Sequence, residues 1–220
     1  LDNQAASLKA QGNILLRLGD DLRNQGGRVD SVAGNLDIHS THLNNSAGGM
    51  LNSSQGRLTL VSGLLDNNAG TLQAQTLDLE ARDGLQNRKG FISALSGDNR
   101  IATATFDNQG GGLYAAGWLG VNAGQFLNQA GKVGAGRIDF DLSGLLDNQL
   151  GHLESEADLA LRISGHDGAP WFDSRTQLPN TTPPSGLGGR IRIAGPKNAV
   201  SSSTPFGVFP SASRRMTPPV

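Results

Sequence analysis

An asparagine returns every 20 to 22 residues through the first 150 positions of this chain, and that period restricts the fold more than any other feature. It first stands in Leu1-Asp2-Asn3-Gln4 and comes back in Leu22-Arg23-Asn24-Gln25, Leu43-Asn44-Asn45-Ser46 and Leu65-Asp66-Asn67-Asn68. It continues in Leu85-Gln86-Asn87-Arg88, Phe106-Asp107-Asn108-Gln109, Phe126-Leu127-Asn128-Gln129 and Leu146-Asp147-Asn148-Gln149. The eight asparagines are therefore spaced by 21, 21, 22, 20, 21, 20 and 20 residues. A fixed period of this length marks a stack of equivalent units, each too small to bury its own apolar face.

Other positions keep step. Three residues after the asparagine stand Ala6, Gly27, Gly48, Gly70, Gly90, Gly111, Gly131 and Gly151. Two further on comes an apolar column, Leu8, Val29, Met50, Leu72, Ile92, Leu113, Val133 and Leu153. Beyond it lies a column of small residues, Ala10, Ser31, Asn52, Ala74, Ala94, Ala115, Ala135 and Ser155. Later in each unit the chain alternates, as in Leu36-Asp37-Ile38, Leu58-Thr59-Leu60, Leu77-Asp78-Leu79 and Leu159-Ala160-Leu161. Period-two alternation broken by Gly and Asn is a strand signal. A helical repeat would need apolar residues 3.6 apart and would lose about 1 kcal/mol at each interior glycine. The leucine spacing is also too sparse for leucine-rich repeats. What remains is an all-β chain that coils so that each strand pairs in parallel with its equivalent one coil away: a parallel β-helix of about eight 20–22-residue coils over residues 1–165.

Composition agrees. With Gly at 31 of 220 residues and aromatics at 5%, the interior is expected to be small and aliphatic, without a core of large rings. Each coil offers about four inward aliphatic side chains, worth roughly 1.5–3 kcal/mol each on burial. Ordering its backbone costs roughly 1–2 kcal/mol per residue, so a coil is stable only when stacked. At about 4.8 Å per coil, eight coils make a rod of roughly 40 Å. The recurrent glycine permits positive φ or close approach at a corner. The column Asn3, Asn24, Asn45, Asn67, Asn87, Asn108, Asn128 and Asn148 is expected to be structural, in left-handed geometry or bonded to neighbouring backbone, with stacked amides forming a ladder. The residue before each is expected to be mostly solvent-facing.

The pattern stops near Gly165. All nine prolines lie beyond it, where none can remove a ladder donor from the coils. Residues 166–220 carry six basic and two acidic side chains, a net of +4 that leaves −5 for the rest. Ser201-Ser202-Ser203-Thr204 and Thr181-Thr182-Pro183-Pro184 read as linker. Residues 166–220 are thus expected to be a Pro/Ser-rich, mostly irregular and flexible tail, with Gly189-Arg190-Ile191-Arg192-Ile193 able to form one short strand on the last coil.

Chemistry is sparse. There is no cysteine, hence no disulfide, thiolate ligand or thiol nucleophile. A net charge of −1 points to no nucleic-acid partner, and no apolar run reaches membrane-spanning length. Leu1 already lies inside a repeat, so the chain is expected to be a piece of a longer parent whose adjoining repeats are its first partners. His39 and His42 have the spacing of a ligand pair but alternate across a strand. His166-Asp167 near Ser164 lacks a nucleophile elbow. Glu154 with Glu156, and Asp139 with Asp141, each share a face without a third group. Asp37, Asp78 and Asp139 occupy similar positions in coils 2, 4 and 7, the nearest approach to the carboxylate set that a polysaccharide lyase or glycosidase requires. No metal, cofactor or catalytic residue is nominated. A flat ligand-binding face of the kind that recognises ice would want a threonine ladder, and Thr103-Ala104-Thr105 is not repeated.

The units Leu65-Asp66-Asn67-Asn68-Ala69-Gly70-Thr71-Leu72 and Phe106-Asp107-Asn108-Gln109-Gly110-Gly111-Gly112-Leu113 resemble the repeats of filamentous haemagglutinin-like exoproteins. These are passengers of two-partner secretion in Gram-negative bacteria and include adhesins and contact-dependent growth inhibition sticks. The resemblance covers about residues 1–165. It implies a right-handed helix, an outer-membrane transporter as partner during export, and a place outside the cell or on its outer surface. It also implies a structural shaft serving adhesion to a host or neighbouring-cell receptor, or presentation of a distal toxin, without catalysis of its own. The secretion domain and toxin of such proteins are not recognisable here, and the tail matches no known segment. The alternative is a polysaccharide-active β-helix enzyme.

Overall fold

The computed structural model describes residues 1–164 and, beyond them, the backbone of the strands Trp171–Phe172, Thr176–Gln177, Gly189–Ile193 and Ala199–Ser202. The remainder of the 166–220 segment, with His166 and Asp167, lies outside the described residues. The described residues contain no helix. Every strand pairing in them is parallel, and within residues 1–164 the partner lies one coil away. The chain is a parallel β-solenoid of about seven complete turns, with the strands His152–Ser155, Leu159–Ile163 and Trp171–Phe172 pairing on the seventh.

Each turn has three sides. Side A is seen in Ser7–Ala10, Arg28–Ser31 and Phe91–Ala94, side B in Ile14–Arg17, Leu36–His39 and Leu159–Ile163, and side C in Leu22–Arg23, His42–Asn44 and Leu145–Asp147. In the middle coils the corners straighten enough for one strand to run through several sides, as in Met50–Asp66, Thr71–Gln86 and Gly112–Leu127. Differences in coil length are absorbed at corners. Ser53 pairs Ala74 and Arg57 pairs Thr76, so three residues in one coil answer to one in the next while the strands stay in register. The strand His152–Ser155 also pairs in parallel with Gly189–Ile193.

The interior is a set of stacked columns. Side A contributes Val29, Leu51, Leu72, Ile92, Leu113, Val133 and Leu153, and side C contributes Leu22, Leu43, Leu65, Leu85, Phe106, Phe126 and Leu146, all essentially inaccessible to water. In coil 3 the inward residues are Leu51 and Ser53, not the expected Met50 and Asn52. The cause is one extra residue in the corner after Asn45, where Ala47 and Gly48 both have positive φ and Gly49, not Gly48, takes the place of the other coils' glycine. Because side chains alternate, a one-residue slip exchanges the inward and outward sets.

Two interior features depart from expectation. Three rings do enter the core: Phe106 and Phe126 stand 4.9 Å apart, and Phe140 meets Phe126 edge-on at 5.2 Å, together filling the centre of coils 5–7. Conversely, Asn99 occupies a leucine position. It lies in register between Leu77 and Leu119, is fully buried, and its Oδ1 has no hydrogen-bond partner. A buried unsatisfied carbonyl costs about 1–3 kcal/mol. Asn99→Leu is therefore expected to raise stability by about 1–2 kcal/mol once the loss of the long 3.5 Å bond from Nδ2 to the Tyr114 carbonyl is counted. Urea melts of the two chains measure it, and an unchanged or lower midpoint counts against this placement.

Candidate functional site

The one constellation repeated in every coil is the asparagine corner between sides C and A. All eight asparagines are buried, seven of them completely and Asn3 to 4% exposure. From Asn3 to Asn128, each Nδ2 donates to the Oδ1 of the asparagine one coil on. The separations are 2.7 Å from Asn3 to Asn24, 2.6 Å from Asn24 to Asn45, and 2.7 Å at each of the five later steps to Asn148. The second amide hydrogen reaches the carbonyl of the coil's own glycine, at 3.2 Å for Gly27 and 3.3 Å for Gly90. Except in coil 3, where Gly49 N–H donates to the Ser46 carbonyl, the asparagine's own carbonyl accepts the N–H three residues on, for example Gly90 at 3.0 Å. The ladder is thus a single file of amides in the dry interior, where such chains polarise and strengthen one another.

The asparagine is not the left-handed residue of the corner. Positive φ falls two positions later in every coil, at Ala5, Gly26, Ala47, Ala69, Lys89, Gly110, Ala130 and Leu150. The conformation is held because the N–H of that residue donates to the next coil, as Lys89 does to the Gln109 carbonyl at 3.1 Å. The glycine column has a different reason. A Cβ on Gly90 would stand 2.2 Å from the Asn67 carbonyl oxygen and 2.4 Å from Asn87 Oδ1, and Gly70, Gly111 and Gly151 repeat this crowding. Only a bare Cα lets successive asparagine corners nest.

The residue before the asparagine also does more than face water. Asp2, Asn44, Asp66, Asp107 and Asp147 each accept the N–H two residues on at 3.0–3.1 Å, closing an Asx turn over the corner. Asp107 is buried and also pairs with Arg88 at 2.7 Å. The expectation of a solvent-facing position holds only for Asp2 and Arg23; most of the others are half-buried.

The nominated side chains elsewhere do not converge. Asp37, Asp78 and Asp139 do fall in one outward row of side B, but Thr59 separates the first two and Arg100 and Gly120 the last two. Asp139 is bonded to Arg162, which also reaches Asp141 at 3.7 Å. Glu154 pairs with His152 at 3.1 Å. His42 pairs with Asp21 at 2.8 Å, and no group of three metal-ligating side chains occurs among the described residues. On side A of coils 2 and 3, burial raises the Asp30 pKa, but the Asn52 amide at 2.6 Å and the Arg28 guanidinium at 3.2 Å outweigh it and hold the carboxyl below its ordinary value.

One surface feature does not recur from coil to coil and so left no periodic signal in the sequence. Of the six aromatic residues within residues 1–164, Phe91, Tyr114 and Trp118 are on the outside, all in coils 5 and 6. Phe91 is 40% exposed and packs 5.4 Å from Tyr114. The rings are bedded on glycines: a Cβ on Gly112 would meet Tyr114 at 2.8 Å, and one on Gly120 would meet the Trp118 ring at 2.3 Å. The legible signal was Gly and an aromatic two residues apart, Gly112 with Tyr114 and Trp118 with Gly120, which places both on one face of a strand.

A family model described as the haemagglutinin repeat matches residues 1–26, 31–89 and 94–162. No curated protein and no solved structure matches the chain.

Proposed function

The chain belongs to the haemagglutinin repeat family, and from that premise we propose that it is a non-catalytic shaft segment of an exported Gram-negative surface protein, an adhesin or toxin-delivery rod. One observation carries this reading: the asparagine ladder runs through all eight corners, so the buried polar chemistry of each coil is spent on its neighbours. A structure held by identical steps transmits position along its axis, which is what a spacer does. Its partners in this role are the adjoining repeats of a longer parent, an outer-membrane transporter during export, and a host or neighbouring-cell receptor contacted by the assembled rod. Absence of cysteine suits passage of an unfolded chain through a pore.

Antibodies raised against the coils should label intact producing cells without permeabilisation. Label confined to permeabilised cells would overturn the surface assignment. Polysaccharide substrates, acidic or neutral and with or without calcium, should release no reducing ends or unsaturated product. Release that Asp139→Asn abolishes would instead establish the enzyme alternative.

A further inference from the structure

A pure spacer has no need of an indole on its surface, yet Trp118 stands half-buried on the outside of coil 6, at the corner between sides A and B. Its six-membered ring lies over Gly120, where an added Cβ would stand 2.3 Å from both Cη2 and Cζ2, and that outward glycine is buried beneath it. The Trp118 backbone N–H is held by Asp98 Oδ1 at 2.8 Å. The indole Nε1 is buried with no hydrogen-bond partner. A buried donor left unpaired destabilises the folded chain, and nothing in the stacking of the coils requires one here. The ring is thus a platform fixed against the sheet by one face with the other outward, and few rotamers remain to be lost on binding.

Beside the platform is a depression of about 280 Å³ on side B of coils 5–8. Its floor is low because Gly120 stands where the adjacent coils carry Arg100 and Asp139, and Ala102 where the next coil carries Asn122. Its rim is polar, formed by Arg100, Asn122, Asp139, Asp141 and Arg162. Charge selects no ion here. Around the rings of coils 5 and 6 the carboxylates of Asp78, Asp98, Asp139, Asp141, Glu154 and Glu156 outnumber the cations of Arg100, Lys132, Arg137 and Arg162, which disfavours an anion. Asp139 and Asp141 are both engaged by Arg162, so a cation is not needed there either. What the rim supplies is hydrogen bonding in both senses: carboxylate oxygens accept, the Arg100 guanidinium donates, and the Asn122 amide does both. A flat apolar face ringed by donors and acceptors fits an uncharged pyranose whose hydroxyls are equatorial. Such a sugar turns its axial C–H groups, which carry partial positive charge, to the electron-rich indole face. Its hydroxyls then point sideways to the rim, where each can donate and accept.

We propose that Trp118, seated on Gly120, and the rim of Arg100, Asn122, Asp139 and Asp141 form a binding site on the shaft itself for a neutral polysaccharide of gluco-configured sugars. It goes beyond the spacer reading, which stands whether or not this site binds.

Affinity electrophoresis of the full chain through native gels containing hydroxyethylcellulose, an uncharged β-linked glucan, tests it. The expected result is retardation that persists as salt is raised, because no ion pair forms with the ligand. Trp118→Ala should weaken the apparent Kd by about tenfold, the share usual for an aromatic anchor, and Trp118→Phe should retain most of the binding. Asn122→Ala should weaken it by about threefold, the share of one hydrogen bond. Gly120→Ala removes no group that faces the sugar, yet it lifts the indole from its seat and should weaken binding nearly as much as Trp118→Ala. Asp37→Asn, on side B in coil 2, should bind as the parent does. Circular dichroism and melting of each variant separate lost contact from lost fold. No retardation by hydroxyethylcellulose, or retardation unchanged in Trp118→Ala, overturns the proposal. Stronger retardation by polygalacturonate that fades with salt also overturns it, because charge rather than the platform would then select the ligand.

Discussion

Gly90→Ala is expected to destabilise the rod by about 3–5 kcal/mol, near the upper end of what a single methyl group does. The new Cβ would stand 2.2 Å from the Asn67 carbonyl oxygen, 2.4 Å from Asn87 Oδ1 and 3.0 Å from Asn67 Nδ2. None of these atoms belongs to a flexible tip. The first is backbone held in the stack, and the other two are successive steps of the amide ladder. Relief requires coils 4 and 5 to separate at the corner, which lengthens the ladder bond between Asn67 and Asn87 and the backbone bond from Phe91 N–H to the Gly70 carbonyl. Gly12→Ala and Gly19→Ala are the controls. Nothing lies within 4 Å of a Cβ at either and neither has positive φ, so they should be neutral or gain a few tenths of a kcal/mol from a stiffer unfolded chain. Coil 1 already carries the alanine, Ala6, at the equivalent place. No coil precedes it among the described residues, and its N–H reaches the Asn3 carbonyl at 3.2 Å where Gly27, Gly70 and Gly90 reach theirs at 3.0 Å. Denaturant melts decide the matter, and a Gly90→Ala chain within 1 kcal/mol of the parent would mean that the corners do not nest as described.

Why some of this was legible in the chain and some not follows from what repeats. The asparagines and glycines recur because nesting imposes the same contact in every coil, so period alone located them. The alternation of Leu58-Thr59-Leu60 and Leu77-Asp78-Leu79 likewise marks the pleat, with the leucines buried and the residues between them outside. Reading failed where one coil differs from its neighbours. The extra residue in the corner after Asn45 displaced Met50, Gly48 and Asn52 from their assumed columns, because alignment on the asparagine carries no information on how the corner closes. Asn99 was hidden for the opposite reason: a polar residue at a leucine position reads as outward. The rings of Phe106, Phe126 and Phe140 sit at ordinary aliphatic positions and stack only because consecutive coils bring them together. Low aromatic content limits the number of rings, not their placement. The left-handed residue was misassigned because its identity varies, from Gly26 to Lys89 and Leu150, and its conformation is enforced by pairing with the next coil rather than by its own side chain. The surface rings escaped notice because a periodic reading looks for what recurs, whereas binding on a repeat scaffold lies in what does not.

Asn67→Ala should cost about 2–4 kcal/mol, and Asp66→Ala, one residue away, only about 0.5–1 kcal/mol. Asn67 is fully buried in mid-ladder, where it accepts from Asn45 Nδ2 and donates to Asn87 Oδ1, each at 2.7 Å. Alanine removes both bonds. Asn45 Nδ2 keeps the carbonyls of Gly49 and Thr71, both at 3.1 Å, so the donor side is partly compensated. Asn87 Oδ1 loses its Asn67 donor in the dry interior, and that uncompensated acceptor is the larger part of the cost. Asp66 is half-buried and its carboxylate accepts one N–H, that of Asn68 at 3.0 Å, which water can replace. Asn67→Asp sharpens the test. A carboxylate at this place can still accept from Asn45 but can only confront Asn87 Oδ1, lone pair against lone pair, so burial and that contact raise its pKa in the folded chain. Stability should then be lowest at neutral pH and recover as pH falls through the raised folded-state value, where a protonated carboxyl restores the donor. The parent should show no such recovery. Equal losses for Asn67→Ala and Asp66→Ala, or an Asn67→Asp chain whose stability relative to the parent does not change with pH, would remove the amide ladder as the element that holds the coils together.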